Sequence, residues 1–258
     1  MRCVDINCDL GEGFGVYRVA PDEHIFPLIS SANIACGFHA GDPQTMRRCV
    51  ELAVNHGVSV GAHPGTPDLA GFGRRAMELS EAELENALIY QAGALDGMCR
   101  SVGAQIRHVK PHGWLYNAAA KDSRLAAVIA RTVQKLNPAW RLFGLAGSES
   151  ICAAQAVGMP YASEAFIDRT YESDGSLSNR SVAGSVITNP EFAAQQCLDI
   201  VLKSSVRTVS GAEIRIMAET LCVHGDNANV LQILECVRER LAAHQIQVRP
   251  LGYQWQQE

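Results

Sequence analysis

The sequence predicts an α/β barrel built as one domain over residues 1–258. Three observations carry this. Short apolar runs alternate with longer amphipathic segments along the whole chain, the pattern of strand–helix units packed in layers. The apolar runs read as buried on both faces, which favours parallel pairing. Polar and titratable residues follow nearly every run, as they do where all strand ends open onto one mouth. An open doubly wound sheet, with its single switch point, is the alternative.

Each element has a local reason. "CVDINCD" is the first strand and "LISSANIACG" the second. In "PQTMRRCVELAVNHG", Met46, Val50, Ala53 and Val54 recur at helical spacing, with Pro43 in the first turn and Gly57 as the stop. "VSVGAHPG" is the third strand. "SEAELENALIYQAGALDGMCRSVG" opens on Ser80 with Glu83 three residues later, a capping pattern that starts a long helix. "IRHVKPHG" precedes a helix over about 122–136, and "RLFGLAG" one over about 148–157. "PYASEAF" follows, then the polar connection "RTYESDGSLSNRSVAGSVI", residues 169–187. Its length suits a lid over the mouth, with a disordered loop as the alternative. A helix over about 190–204, a small hairpin, the strand "TLCVHG" and the helix "NANVLQILECVRERLAAH" complete seven or so units.

Composition narrows the function. Apolar residues make up 47% and charged ones 19%, as in a folded globular chain. A net charge of −5 without a Lys/Arg block argues against nucleic acid or an anionic membrane as partner. No run reaches the roughly 18 apolar residues of a membrane span. A soluble, cytoplasmic protein is expected. The nine cysteines form no CxxC and read as buried, reduced thiols, with a Cys36 thiolate as the reactive alternative.

The chemistry collects after the strands. Asn7, Asp9 and Glu12 follow the first, His39 and Asp42 the second, and His63 and Asp68 the third. Lys110 and His112 follow the fourth, Glu164 and Asp168 the sixth, and His224 and Asp226 the seventh. Gly11, Gly13 and Gly15 in "DLGEGFG" are placed to turn backbone N–H groups toward an anion, or to form a plain turn. Arg74 and Arg75 in "GFGRR" suit a carboxylate or phosphate, or simply solvent. Asp9, His63 and His112, from three strand ends, suit a Zn²⁺-like ion or a metal-free acid/base set.

"INCDLGEGFG", "ANIACGFHAGDP", "GAHPGTPDLAGFGRR", "VKPHGWLYN", "SEAFIDRTY" and "VHGDN" together closely resemble the LamB/YcsF family over nearly the whole chain. The resemblance implies a distorted, TIM-like (β/α)7 barrel similar to the glycoside hydrolase/deacetylase superfamily. It implies ATP-dependent cleavage of 5-oxo-L-proline to L-glutamate, with Mg²⁺ accompanying ATP and partner subunits B and C completing the enzyme; homo-oligomers are open. On that chemistry Asp9, His63, His112 and Lys110 are the catalytic candidates. Asn7, Glu12, His39, Asp42, Arg74, Arg75, Glu164, Asp168 and His224 are the substrate-binding ones. A second resemblance, to the deacetylase-like YdjC group, places a divalent metal on Asp9, His63 and His112. It implies a metal-dependent amide hydrolase or deacetylase acting on an N-acetyl sugar without ATP, although "DLG" departs from that group's paired aspartates. A non-catalytic protein that binds 5-oxoproline within the complex is the third reading.

Overall fold

The computed structural model describes residues 2–252. The chain runs β1 (Arg2–Leu10), α1 (Asp22–Ile25), β2 (Ser31–Ala35), α2 (Pro43–His56), β3 (Ser59–His63), α3 (Glu81–Arg100), β4 (Ile106–Val109) and α4 (Gly113–Ala119). It continues with α5 (Ser123–Leu136), β5 (Arg141–Leu145), α6 (Glu149–Ala156), β6 (Tyr161–Phe166), α7 (Pro190–Leu198), β7 (Ser205–Arg207), β8 (Glu213–Arg215), β9 (Thr220–His224), α8 (Val230–Ala243) and β10 (Ile246–Val248). Strands β1 to β6 pair in parallel in chain order, and β9 closes the sheet by pairing with both β6 and β1. The result is a closed, seven-stranded parallel barrel. The short β7–β8 hairpin stands apart from it, and β10 extends the start of β1.

Local signals account for most elements. Ser80 accepts from the Glu83 N–H while the Glu83 carboxylate accepts from the Ser80 N–H, the reciprocal cap expected at the start of α3. Gly57 ends α2 at φ 65°, a left-handed conformation that glycine adopts without strain. The helix read over 190–204 is α-helical only to Leu198, and a π-helical turn carries it on to Lys203. Helices α1 and α4 and strand β10 are too short to leave a periodic signal.

The expectation that strands are apolar on both faces is corrected. Their outward residues, such as Ile6, Cys8, Ile34, Ala62 and Val223, form the apolar core beneath the helices. Many of their alternate residues, which meet inside the barrel, are polar, with Phe143 and Phe166 among the apolar ones. At the N-terminal end, Asp5 accepts from Ser30, Ser31 and Thr220. Above it, Asn33 donates to Asn7 and Asp9, and its carbonyl oxygen lies 2.8 Å from His108 Nε2. The side chain of His108 crosses the lumen only because residue 61 is glycine: a Cβ there would stand 2.0 Å from the His108 ring.

Burial holds the His108 pKa down to about 3. The unfolded chain takes up a proton there near pH 6.5, and the folded chain does not. This group's contribution to stability is therefore complete above pH 6.5 and declines as pH falls toward 3, by up to about 1.4 kcal/mol per pH unit. A His108→Gln variant is expected to show a flatter loss of stability across that window in urea titrations. An unchanged slope would show that His108 does not titrate with folding.

Candidate functional site

The strand C-termini open onto one end, where their last inward residues meet the loops. Lys110, just past β4, sits at the centre. Its ammonium lies 3.0 Å from Asp9 Oδ1, 2.9 Å from Glu164 Oε1, 3.2 Å from Asn7 Oδ1 and 3.0 Å from Cys222 Sγ. All five residues are buried. Burial alone would lower the lysine pKa, but Asp9, Cys222 and Glu164 reverse it and hold the group well above its usual value. A buried ion pair persists when its remaining hydrogen-bonding groups are also satisfied, and Asn7 and Asn33 do this for the Lys110–Asp9 pair.

Beside Lys110 stand three histidines and an acid. His63 Nδ1 lies 2.7 Å from the Lys110 carbonyl, and His112 Nε2 2.8 Å from the Phe72 carbonyl. Both nitrogens must donate, because a carbonyl only accepts. The opposite nitrogens, His63 Nε2 and His112 Nδ1, then face one another at 3.0 Å. Two lone pairs at that distance repel, so a shared proton or a cation belongs between them. Asp9 Oδ2 lies 3.4 Å from His63 Nε2, and Glu12 Oε1 3.4 Å from His112 Nδ1.

Three of these contacts, Asp9–His63, His63–His112 and His112–Glu12, are spaced like neighbouring ligands of a divalent ion, and both histidines are oriented by backbone carbonyls. His39 is close, and Glu12, His39, His63 and His112 offer ligand atoms within 4.8 Å of one another. Yet its ring stacks on His112 at 3.7 Å and 4°. Lone pairs lie in the ring plane, so these two parallel rings do not point at a common ion. His39 belongs instead with Glu12, whose Oε1 is 3.4 Å from its Nε2.

The two carboxyls of this mouth are driven apart. Burial would raise Asp9, but His63 and Lys110 outweigh it and hold that carboxyl well below the usual range. Burial raises Glu12, and the Asp9 charge adds to it, so Glu12 is held well above that range. Burial likewise lowers His39 and His112.

A third group comes from β6 and β9. Asp168 accepts from the His224 backbone N–H and from Asn227, and its other oxygen lies 2.9 Å from His224 Nδ1. Asp9, His63, Arg74, Lys110, His112 and His224 line a cavity of about 390 Å³. Asn7, Glu12, His39, Glu164 and Asp168 stand one layer behind, each touching a lining group. Part of the 169–187 connection packs over the mouth, with Ser176 to Arg180 lining the cavity.

Several residues expected at the site lie elsewhere. Asp42 caps α2, accepting from the N–H groups of Gln44 and Thr45 and, across the turn, from Gly15. That bond turns the N–H of Gly15, the last of the "DLGEGFG" glycines, to Asp42. Arg75 binds Asp68, is two-thirds exposed and does not line the cavity. Cys36 donates to the Ile34 carbonyl and burial pushes its thiol up to about 12, which removes it as a nucleophile at neutral pH. Asp42→Ala is expected to cost about 1 kcal/mol of stability with KM unchanged. Thermal melts and initial rates check it, and a rise in KM would return Asp42 to the site.

Tyr116, Phe166, Arg169, Ser178 and Arg180 also line the cavity, and sequence reasoning does not single them out. "SEAFIDRTY" contains two of them, but nothing local says that Phe166 and Arg169 face inward.

The family model described as "LamB/YcsF family" matches residues 4–256. A relative from Tolumonas auensis, named as the A subunit of 5-oxoprolinase, is 48% identical over 97% of this chain and 100% of its own length. The structure of a lactam utilization protein from Thermus thermophilus superposes with a TM-score of 0.90 at 44% identity, covering 96% of this chain and 99% of that one. A family 4 carbohydrate esterase from Streptomyces lividans, 12% identical with a TM-score of 0.52 over 97% of this chain and 93% of that one, shares the fold. Among the described residues, no helix is long and apolar enough to cross a membrane.

Proposed function

The chain belongs to the LamB/YcsF family, and from that membership and the geometry of its barrel mouth we propose that it is the A component of a 5-oxoprolinase. It opens 5-oxo-L-proline to L-glutamate with ATP, together with subunits B and C. The observation that carries this reading is the packing of two buried carboxyls, Asp9 and Glu12, against His63, His112 and Lys110.

Lactam opening needs those parts. Amide resonance makes the ring carbonyl a poor electrophile and the ring nitrogen a poor leaving group. Phosphorylation of the lactam oxygen by ATP makes the carbon open to water; loss of the ring nitrogen then leaves an acyl phosphate, which a second water splits to glutamate and phosphate. On this chain, Asp9 and His63 orient that water and take its proton. Lys110, charged and dry, stabilises negative charge developing on oxygen. Glu12, beside His112 Nδ1, supplies the proton that the ring nitrogen takes up as the C–N bond breaks. Asn7 and Glu164 hold the Lys110 ammonium in place. Where a divalent cation is held by Asp9, His63 and His112 instead, those groups are its ligands rather than the base, and it would polarise the lactam oxygen or a bound phosphate.

The test is ADP and glutamate release from 5-oxo-L-proline and Mg-ATP, first with this chain alone and then with the B and C subunits. Glutamate formed only with ATP and both partners supports the reading. A second reading, a metal-dependent amide hydrolase, draws on the facing His63 and His112 nitrogens. Tightly bound zinc and amide cleavage without nucleotide would replace the first reading with it.

A further inference from the structure

Three guanidinium groups meet at the mouth with one carboxylate among them. Arg74, from the loop after β3, and Arg180, from the loop after β6, each lie 2.8 Å from the same oxygen, Asp226 Oδ2. Arg169 donates to the carbonyls of Ser178 and Ser185. Burial, with Arg180 and Arg74 nearby, lowers its pKa to about 10. Donors outnumber acceptors here. Among the described residues, Arg74 Nε and the Ser178 hydroxyl are buried without hydrogen-bond partners, and Ser178, only 2% exposed, lines the cavity. An unpaired buried donor costs about 1–3 kcal/mol. A surplus of donors around one cavity calls for a ligand group that only accepts.

We propose that Arg74, Arg169, Arg180 and the Ser178 hydroxyl form a carboxylate subsite on the loop-built wall of the cavity, and that it receives the carboxylate of the cyclic amide. The assignment of that ligand rests on the proposed function. A guanidinium fork matches a carboxylate in bidentate fashion, which a lysine could not do. Docked there, the acid holds the ring against the strand-end groups Asp9, His63 and Lys110, which line the same cavity. Asp226 keeps Arg74 and Arg180 together before substrate arrives. The subsite selects acids over amides, because a carboxamide brings N–H groups into a wall already rich in donors. Phosphate shares the acceptor chemistry, so the test separates the two sources.

The test is ligand binding to the full chain on its own, which does not depend on turnover. 5-Oxo-L-proline, its carboxamide and inorganic phosphate are titrated by calorimetry into the wild type, Arg180→Gln, Arg180→Lys and Arg74→Gln. The acid is expected to bind the wild type at least tenfold tighter than the carboxamide. Arg180→Gln and Arg74→Gln should remove that preference and leave the weak carboxamide binding unchanged, with Arg180→Lys intermediate. Equal binding of acid and amide, no binding of the acid, or loss of both ligands alike overturns the subsite. Phosphate binding that vanishes in the variants, while the acid does not bind, overturns the carboxylate assignment in favour of phosphate. Turnover keeps the two proposals apart. Glutamate formation by an assembled Arg180→Gln enzyme at unchanged KM sinks the subsite alone. A wild-type chain that binds the acid but gives no glutamate with its partners sinks the function alone.

Discussion

Replacing Lys110 with methionine is expected to destabilise the fold and abolish turnover together. Methionine nearly matches lysine in length, so packing is largely kept and the change isolates the charge. What it leaves behind is Asp9 and Glu164, two buried carboxylates that have lost their common cation. Breaking one side of a buried ion pair costs about 3–5 kcal/mol, which for a chain of this size lowers Tm on the order of 10 °C. The pH dependence gives the sign. Asp9 is held below its unfolded pKa, so its stabilisation is present above that value and lost as pH falls through the folded one. Without Lys110 part of that depression disappears, and the acid-side loss of stability should begin at higher pH. Activity should fall by at least about a thousandfold, since both the charge at the oxygen and the position of Asp9 are lost. A variant that melts like the wild type would show that the Lys110 charge is not what holds Asp9 and Glu164 in the barrel.

Glu12→Gln is expected to have the opposite balance. Glu12 is buried and held well above the usual carboxyl range, so keeping it ionised works against folding. Because its folded pKa is raised, the stability it contributes is complete below the unfolded value, about 4.3, and is lost as pH rises toward the folded one. The glutamine carries no such dependence and should be as stable as the wild type at pH 8, or more so. Its turnover should drop by about 10²–10⁴-fold, the usual size of a lost general acid. The kcat profile should also lose its basic limb, because the acid form of Glu12 disappears as pH rises through its folded pKa. A glutamine variant with full activity would remove Glu12 from proton transfer. One that is inactive but also destabilised at pH 8 would show that the carboxyl is ionised and structural.

Local chemistry makes most of the barrel legible in the sequence. The capping box at Ser80 and Glu83, the Asp42-Pro43 start and Gly57 stop of α2, and the alternation of short and long segments all act within a few residues. The position of titratable groups just past the strands is legible for the same reason: a strand end and its loop are contiguous in sequence. What these groups do to one another is not. Asp9 and Lys110 lie 101 residues apart and Lys110 and Cys222 112 apart, yet they touch across the lumen. The opposite shifts of Asp9 and Glu12, three positions apart, come from different surroundings rather than different residues nearby in sequence. Asp42 and Asp168 both follow a strand end; the residues just after it make the one a helix cap, while packing turns the other toward His224. Arg169 and Arg180 are visible as charges in a long loop, but which way a loop arginine faces depends on the wall it folds against. Local periodicity and capping reach about one turn of chain; burial and charge act through space, so the closed barrel alone decides the chemistry of the mouth.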